Sequence, residues 1–208
     1  MSKIEDKRLE LELPDKKTGG ITIGLLGSTR SGKTTLLKYL LEKYFEKYIS
    51  VLMSASMHAH VYDDIDESII KSPDYYPNIV KEMYSINRKI DNHYQFLNVM
   101  DDIVNKKFDK ELLKAFTIYR NSGISSIICI QDPVLLNTAV RGNLNIVLLG
   151  FFNSDEKVEK AIRGFCYASI PGKNIQEKIV KYKELTRDHH FLCIDNLKGC
   201  MYRFKISI

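Results

Sequence analysis

A short apolar segment that ends in a glycine-bounded loop constrains the fold of this chain more than any other feature. Residues 21–26 are almost all apolar and run into Gly27, and after the loop apolar side chains recur at helical spacing. The helical positions are Leu36, Leu37, Leu40, Leu41, Tyr44 and Phe45. A period near 3.6 after a short apolar run is typical of a strand followed by a helix. The sequence therefore predicts a strand, a loop and an amphipathic helix over residues 21–45.

Similar segments repeat along the rest of the chain. Apolar runs predict further strands at 49–53, 96–100, 124–130 and 145–149. Helical spacing predicts helices in the regions 79–90, 112–119 and 158–165. The acidic and proline-containing interval 63–77 predicts a loop or a broken helix. Apolar strands that alternate with helices are typical of a mostly parallel sheet. We therefore predict an α/β fold with helices on both faces of that sheet.

The two ends of the chain carry a different pattern. Residues 8–13 alternate charged and apolar side chains and stop at Pro14, which predicts an edge strand. Residues 191–194 and 201–206 flank a turn at 196–199, which predicts a C-terminal hairpin. With 208 residues the chain has the size of one domain. Its predicted parts are an N-terminal strand and turn (1–20), a core (21–152) and a C-terminal helix and hairpin (153–208).

Charge and composition exclude several classes of protein. The chain has 31 basic and 26 acidic side chains, an excess too small for a dedicated nucleic-acid binder but sufficient for contact with a polyanion. No apolar run approaches the roughly 18 residues that cross a bilayer, and the first residues are charged where a signal peptide is apolar. Four scattered cysteines favour a reducing compartment. We therefore expect a soluble protein without a membrane span or a disulfide.

The loop after the first strand matches the pattern Gly-x-x-x-x-Gly-Lys-Ser/Thr at residues 27–34. Between a strand and a helix, such glycines let phosphate approach the backbone, and the helix N-terminus adds positive potential. Lys33 is expected to bridge the β- and γ-phosphates, and the Thr34 hydroxyl to ligate Mg²⁺. The candidate nucleotide-binding residues are Gly27, Ser28, Thr29, Arg30, Ser31, Gly32, Lys33, Thr34 and Thr35.

Polar side chains also end two other predicted strands. Asp101 and Asp102 follow the strand at 96–100, and Gln131 follows the strand at 124–130. In a parallel sheet all three emerge at the edge that carries the glycine loop. We expect Asp101 to hold Mg²⁺, Asp102 to orient and deprotonate the attacking water, and Gln131 to contact the γ-phosphate or that water. The pair of acids favours hydrolysis over transfer to a small-molecule acceptor.

In this order the motifs resemble the FtsK-HerA superfamily of P-loop motor ATPases, and most of all the genome-packaging ATPases of poxviruses, other large DNA viruses and virophages. The resemblance rests on residues 27–35, 96–102 and 119–143. It implies a RecA-like P-loop NTPase core that binds ATP and Mg²⁺ and forms a homo-oligomeric ring, a pentamer or a hexamer. It also implies translocation of double-stranded DNA into a capsid, with capsid proteins as partners and a location in the virion or the host-cell cytoplasm.

The same resemblance implies that one subunit lends an arginine to the site of its neighbour. Arg141 and Arg120 are the candidates, and Arg141 is preferred. The chain departs from the family pattern at two positions. Asp102 stands where many relatives have the longer glutamate, and Asp132 follows the strand-end glutamine where relatives often have a basic residue.

Other functions stay open on the sequence alone. A P-loop nucleotide or nucleoside kinase needs an acceptor pocket and a lid, for which the interval 60–95 offers room. A nucleotide-gated switch with little hydrolysis would use the same loop. His58 with His60, and the histidines and cysteines after residue 188, lack the spacing of a four-ligand zinc site. The basic residues between 173 and 187 fit either a DNA-contacting face or a solvated helix face.

Overall fold

The computed structural model describes residues 4–15, 18–102 and 110–206. The strands are β1 (Thr22–Leu26), β2 (Ile49–Ser54), β3 (Ile70–Ser72), β4 (Phe96–Asp101), β5 (Ile124–Ile130), β6 (Ile146–Leu149), β7 (Phe191–Asp195) and β8 (Cys200–Phe204). The helices are α1 (Lys33–Tyr44), α2 (Pro77–Lys89), α3 (Lys110–Thr117), α4 (Thr138–Arg141), α5 (Asp155–Ala161) and α6 (Ile175–Leu185). Each strand predicted between residues 21 and 149 is confirmed.

The described strands form one sheet in the order β3-β2-β4-β5-β1-β6-β7-β8. The strands from β3 to β6 in that order are parallel, while β7 pairs antiparallel with both β6 and β8. This arrangement confirms the predicted α/β fold with a mostly parallel sheet and a C-terminal hairpin. The carboxyl ends of β1, β4 and β5 meet at one edge, where ligands bind in folds of this type. Because β5 lies between β1 and β4, the residue that follows it stands between the ends of its neighbours.

Helices cover both faces of the sheet, as predicted. On one face, α1 packs through Leu36, Leu37 and Leu40, together with Leu9 and Leu11 of the N-terminal segment. The opposite face is covered by α2 to α6. Connectivity explains this division, because right-handed crossovers place helices on opposite faces when the chain moves along the sheet in opposite directions. The chain moves one way from β1 to β2 and the other way from β3 through β4 and β5 to β6.

The N-terminal segment is not the edge strand that its alternating side chains predict, and that prediction is wrong. In the described part of the segment, an isolated bridge joins Asp6 to Arg203 of β8. Leu9 and Leu11 are buried, while the charged residues beside them are exposed. The Tyr44 hydroxyl at the end of α1 donates to the Leu9 carbonyl. The period of two thus arises from an extended segment packed on a helix, where alternating burial needs no neighbouring strand.

The interval 63–77, predicted as a loop or a broken helix, contains the short strand β3, which pairs in parallel with β2 at the edge of the sheet. A 3₁₀ helix at Ala55–Ala59 follows β2 directly, before this interval. With three residues, β3 is too short to display a period.

The helix predicted at 158–165 is present in two parts. The α-helix α5 ends at Ala161, and a π-helical stretch follows at Ile162–Cys166.

The basic residues between 173 and 187 lie on α6 and at its ends. Lys178 is buried, and its ammonium group donates to the carbonyl oxygens of Tyr167 and Ile170. Lys181 and Lys183 each pair with an acidic side chain. Lys178 therefore serves the packing of α6, and the other two have partners within the chain, as expected for a solvated helix face.

Two expectations from composition can be compared with the structure. Among the helices of residues 4–15, 18–102 and 110–206, none combines the length and the apolar character that a membrane crossing requires. Cys129, Cys166 and Cys193 are buried free thiols, and Cys200 is an exposed one. Burial raises the pKa of each of the three buried cysteines. These three thiols therefore act as small apolar side chains of the core.

A side chain at Gly20 would collide with the backbone of the neighbouring strand. Its Cβ would lie 2.1 Å from the carbonyl oxygen of Ile124 at the start of β5. We expect Gly20→Ala to lower the free energy of unfolding by about 1–3 kcal/mol. Gly142→Ala is the control, because its Cβ would meet the Thr138 carbonyl oxygen at an ordinary 3.5 Å, and should change stability by less than about 0.5 kcal/mol. Urea unfolding measures both, and equal losses would contradict the prediction.

Candidate nucleotide-binding site

The glycine loop joins β1 to α1 and is tied to both strands beside β1. The Gly27 N–H donates to the Ile130 carbonyl at the end of β5 (3.1 Å), and the Ser28 N–H donates to the Phe151 carbonyl after β6 (2.8 Å). A Cβ at Gly27 would lie 2.6 Å from the Ser31 hydroxyl oxygen, so a side chain there would displace that hydroxyl. That hydroxyl is buried and has no hydrogen-bond partner among the described residues, which is a feature that a bound polar group can satisfy.

The backbone turns sharply from the loop into α1. Gly32 has a φ of 93° and Arg30 a φ of 64°. The left-handed region is open to glycine, whereas it costs a residue with a Cβ about 1–2 kcal/mol. Because α1 begins at Lys33, its free N–H groups and the positive end of its dipole lie at the loop. The loop therefore has the form of an anion cradle.

Lys33 places a positive charge inside this cradle. Its Nζ donates to the carbonyl oxygens of Gly27 (2.7 Å) and Ser28 (3.0 Å), and 8% of the residue is exposed. Burial lowers the pKa of Lys33, while the nearby carboxylates of Asp101 and Asp102 oppose that shift. A buried ammonium group in this setting is stabilised by a further anionic partner.

Asp101 ends β4 and is the more buried of the two acids. The Ser54 hydroxyl (3.2 Å) and the Tyr62 hydroxyl both donate to Asp101 Oδ2. Burial raises the pKa of Asp101 in spite of these hydrogen bonds. Burial also raises the pKa of Tyr62, whose side chain is completely enclosed, so its hydroxyl remains a donor. Sequence patterns do not single out Tyr62, because its place depends on the unpredicted course of the chain after β2. Ser54 ends β2 directly beside Asp101, so its position at the carboxyl end of a predicted strand is the signal that could have found it.

Asp102 lies in a chain of hydrogen bonds that includes Gln131. Gln131 Nε2 donates to Asp102 Oδ1 (2.8 Å), and the Thr29 hydroxyl donates to Gln131 Oε1 (2.9 Å). On the other side, the Ser56 hydroxyl donates to Asp102 Oδ2 (3.2 Å). Asp102 has a φ of 52°, a left-handed conformation that is uncommon outside glycine and is often found at functional sites. The end of β5 is thus linked to the glycine loop and to the second acid.

One cavity of about 450 Å³ brings these residues together. The predicted residues that line it are Thr29, Arg30, Gly32, Lys33, Thr34, Thr35, Asp101, Asp102 and Gln131. Gly27, Ser28 and Ser31 belong to the loop behind this lining and are buried. The remaining lining residues come from the C-terminal hairpin region and are His189, Phe191, Lys205 and Ile206. They carry no local motif, so the sequence gives no signal for their place in the site.

The two candidate arginines lie away from this cavity. Arg141 ends α4 shortly before β6 begins, and its guanidinium donates to the Thr138 hydroxyl (3.1 Å). Arg120 lies shortly before β5 begins, and its carbonyl accepts from the Gly20 N–H. Both therefore stand near the amino ends of strands, opposite to the edge that carries the glycine loop. Neither reaches the cavity of its own chain.

The oxygen donors of the cavity fit Mg²⁺. This ion prefers hard oxygen ligands and is usually held by one or two carboxylates with substrate phosphates, and the Thr34 hydroxyl and Asp101 carboxylate line the same cavity. Among the described residues there is no cluster of three histidine, cysteine or acidic side chains suited to a metal ion. The residues present therefore suit a metal that arrives with a nucleotide better than a permanent zinc centre.

Comparisons with solved structures identify the fold. The genome-packaging NTPase B204 of Sulfolobus turreted icosahedral virus 2, in complex with AMPPCP, has a TM-score of 0.62 at 16% identity and covers 91% of this chain and 98% of its own. The pCW3 conjugation coupling protein TcpA with ATPγS has a TM-score of 0.61 at 14% identity, over 91% of this chain and 60% of its own. The chain therefore shares the fold of these two nucleotide-bound proteins. No protein-family model and no curated protein matches the sequence.

A third solved structure shares less of this fold. EssC ATPases 2 and 3 of Geobacillus thermodenitrificans have a TM-score of 0.54 at 13% identity and cover 77% of this chain and 36% of theirs. The packaging NTPase is matched over nearly its whole length. Because 91% of this chain is matched, most of the region 153–208 belongs to the shared fold.

The buried carboxylate of Asp101 should reduce the stability of the ligand-free protein at neutral pH. Because its pKa is raised on folding, the folded state binds the proton more tightly, and this contribution to stability is lost as the pH rises through the folded pKa. We expect Asp101→Asn to be more stable than the wild type at pH 7.5, by about 1 kcal/mol, and the advantage to shrink at pH 5. Chemical unfolding at the two pH values measures this, with Asp102→Asn at the half-buried neighbour as control. A less stable Asp101→Asn at pH 7.5 would refute the prediction.

Proposed function

We propose that this chain is a Mg²⁺-dependent ATPase that translocates double-stranded DNA during packaging of a viral genome. One observation carries the proposal: an anion cradle, two acids and an amide from three separate strands meet in one cavity. The solved packaging NTPase that shares the fold over most of both chains supports the biological role. Capsid proteins as partners and a location in the virion or the host-cell cytoplasm belong to the same proposal.

The cradle is the proposed binding site for the phosphates of ATP. The loop N–H groups, the N-terminus of α1 and the Lys33 ammonium supply positive potential to the β- and γ-phosphates. Thr34 and Asp101 are the residues that would hold Mg²⁺. When bound, this ion neutralises charge that develops on the phosphate oxygens. Desolvation of Lys33 and Asp101 makes both groups receptive to oppositely charged partners.

The two acids have different surroundings and therefore suit different tasks. Asp101 is enclosed by Ser54 and Tyr62, as suits a metal ligand, whereas Asp102 is partly open to the cavity. Asp102 accepts the proton of the attacking water as the bond from water oxygen to the γ-phosphorus forms and the bond to the bridging oxygen of ADP breaks. Gln131 holds Asp102 by one hydrogen bond and lies between it and Thr29, where it can also contact the γ-phosphate.

DNA-stimulated phosphate release is the test of this function. With Mg-ATP, we expect duplex DNA to increase turnover, Lys33→Ala to lose ATP binding, and Asp102→Asn to bind ATP but lose about 10²- to 10⁴-fold in hydrolysis. Phosphate release and nucleotide binding are measured on the same samples. Transfer of phosphate to an added nucleoside would instead identify a kinase, and binding without hydrolysis would identify a switch. Either result would overturn the proposal.

Assembly into a ring explains how an arginine can reach the site, because Arg141 lies outside the cavity of its own chain. We expect Arg141→Ala to lower turnover about 10³-fold or more. Mixing Arg141→Ala with Lys33→Ala chains should restore part of the activity, since some interfaces then combine an intact cradle with an intact arginine. Arg163→Ala, at an exposed Arg163–Glu159 pair, is the matched control and should behave as the wild type. Failure of the mixture to recover activity where the chains assemble would exclude Arg141, and Arg120→Ala would then be tested in the same way.

A further inference from the structure

The C-terminal hairpin region forms one wall of the nucleotide cavity. His189 precedes β7 and faces the glycine loop, and its Nδ1 would lie 3.4 Å from a Cβ placed on Gly32. Lys205 and Ile206 follow β8 and line the same cavity. Lys205 is exposed, and Ile206 is partly buried against the core beneath α1. An imidazole, an aliphatic side chain and an ammonium group thus share this wall.

The position of this wall fixes which part of a nucleotide can meet it. Lys33, the two acids and Gln131 mark the end of the cavity that suits the γ-phosphate. The loop cradles the α- and β-phosphates, so the nucleoside must leave the loop on the side away from the acids. His189 stands beside Gly32, at the second half of the loop where α1 begins. The wall is therefore placed at the nucleoside end.

Buried aromatic rings make the wall rigid. Phe191 of β7 and Phe204 of β8 stack with their ring centroids 5.8 Å apart. A Cβ on Gly150 would lie 2.7 Å from the edge of the Phe191 ring, so the absence of a side chain at Gly150 leaves room for the ring. Asp188 and His189 both have left-handed backbone conformations, with φ of 57° and 60°. Two consecutive residues held in this region indicate that the surrounding structure fixes the backbone of the turn that carries His189.

We propose that His189 and Ile206 form the binding site for the nucleoside of the triphosphate, with the His189 imidazole stacked on the base and Ile206 closing its apolar edge. Lys205 supplies a cation at the rim of the site, where the sugar and the α-phosphate pass. The inference rests on the proposed function, since it assigns a substrate group to the same cavity. It makes the hairpin region part of substrate recognition and not only an extension of the sheet.

Inorganic tripolyphosphate separates the nucleoside site from the phosphate cradle. His189→Asn removes the ring but keeps a residue that tolerates the left-handed backbone. For the full chain with Mg²⁺, we expect His189→Asn to weaken ATP binding about five- to tenfold and to leave tripolyphosphate binding unchanged. KM for ATP should rise with kcat unchanged. His190→Asn is the matched control, because His190 contacts the Arg187 carbonyl and does not line the cavity.

The outcomes distinguish this inference from the proposed function. Equal weakening of ATP and tripolyphosphate by His189→Asn, or no change in either, would overturn the nucleoside site while leaving the cradle intact. Ile206→Ala is a second variant, and it should also weaken ATP selectively, by about two- to fivefold. If the wild type binds neither probe, the proposed function fails and this inference fails with it. If Lys33→Ala is the one variant that loses binding of both ATP and tripolyphosphate, the cradle is intact in the other variants.

Discussion

The structure depends on keeping opposite charges out of water at one edge of the sheet. Lys33 and Asp101 are both mostly buried. Desolvation lowers the pKa of Lys33 and raises the pKa of Asp101, and both shifts favour the neutral form of the side chain. Loop carbonyls hold the ammonium group, and Ser54 with Tyr62 hold the carboxylate, so each charge is satisfied only in part by neutral groups. Such a site is stabilised by a ligand that brings both signs of charge, which a metal-bound triphosphate does. The same desolvated charges therefore lower the stability of the ligand-free protein and raise its affinity for such a ligand.

Strand order determines which groups can act on that ligand. If β1 and β4 were neighbours, the loop and the acids would face each other directly, and no third strand would end between them. With β5 in between, Gln131 contacts both Thr29 of the loop and Asp102 of the acid pair. In the proposed complex with ATP, a change at the γ-phosphate can therefore alter hydrogen bonds at the loop, the amide and the acid together. Ser56 extends the same chain of contacts to the segment after β2.

The sequence predicts the parts of the site that local chemistry dictates. The loop at 27–34 and the strand-end residues Asp101, Asp102 and Gln131 follow from motif and parallel topology, and the structure brings them together. Ser56, Tyr62 and His189 could not be predicted, because each lies in a 3₁₀ helix or a turn whose place in the site depends on tertiary packing. Ser54 ends β2 beside Asp101, so its signal was its place at a strand end. The alternation in the N-terminal segment led to a wrong prediction for a related reason. A period of two shows which side chains are buried, but not which element buries them. Here a helix rather than a strand buries Leu9 and Leu11.

The placement of the arginines determines whether one chain alone could carry out the proposed hydrolysis. Among the described residues that line the cavity, Arg30 is the arginine, and it projects from a left-handed position of the loop into an exposed place. A guanidinium aimed at the transferred phosphate contributes about 10³- to 10⁵-fold to turnover, so its source has large consequences. If Arg30 supplies it, the proposed ATP turnover per chain is independent of protein concentration. If a neighbouring chain supplies it, turnover per chain rises with protein concentration, because the arginine arrives only on assembly, and the order of that dependence reports how many chains build one working site.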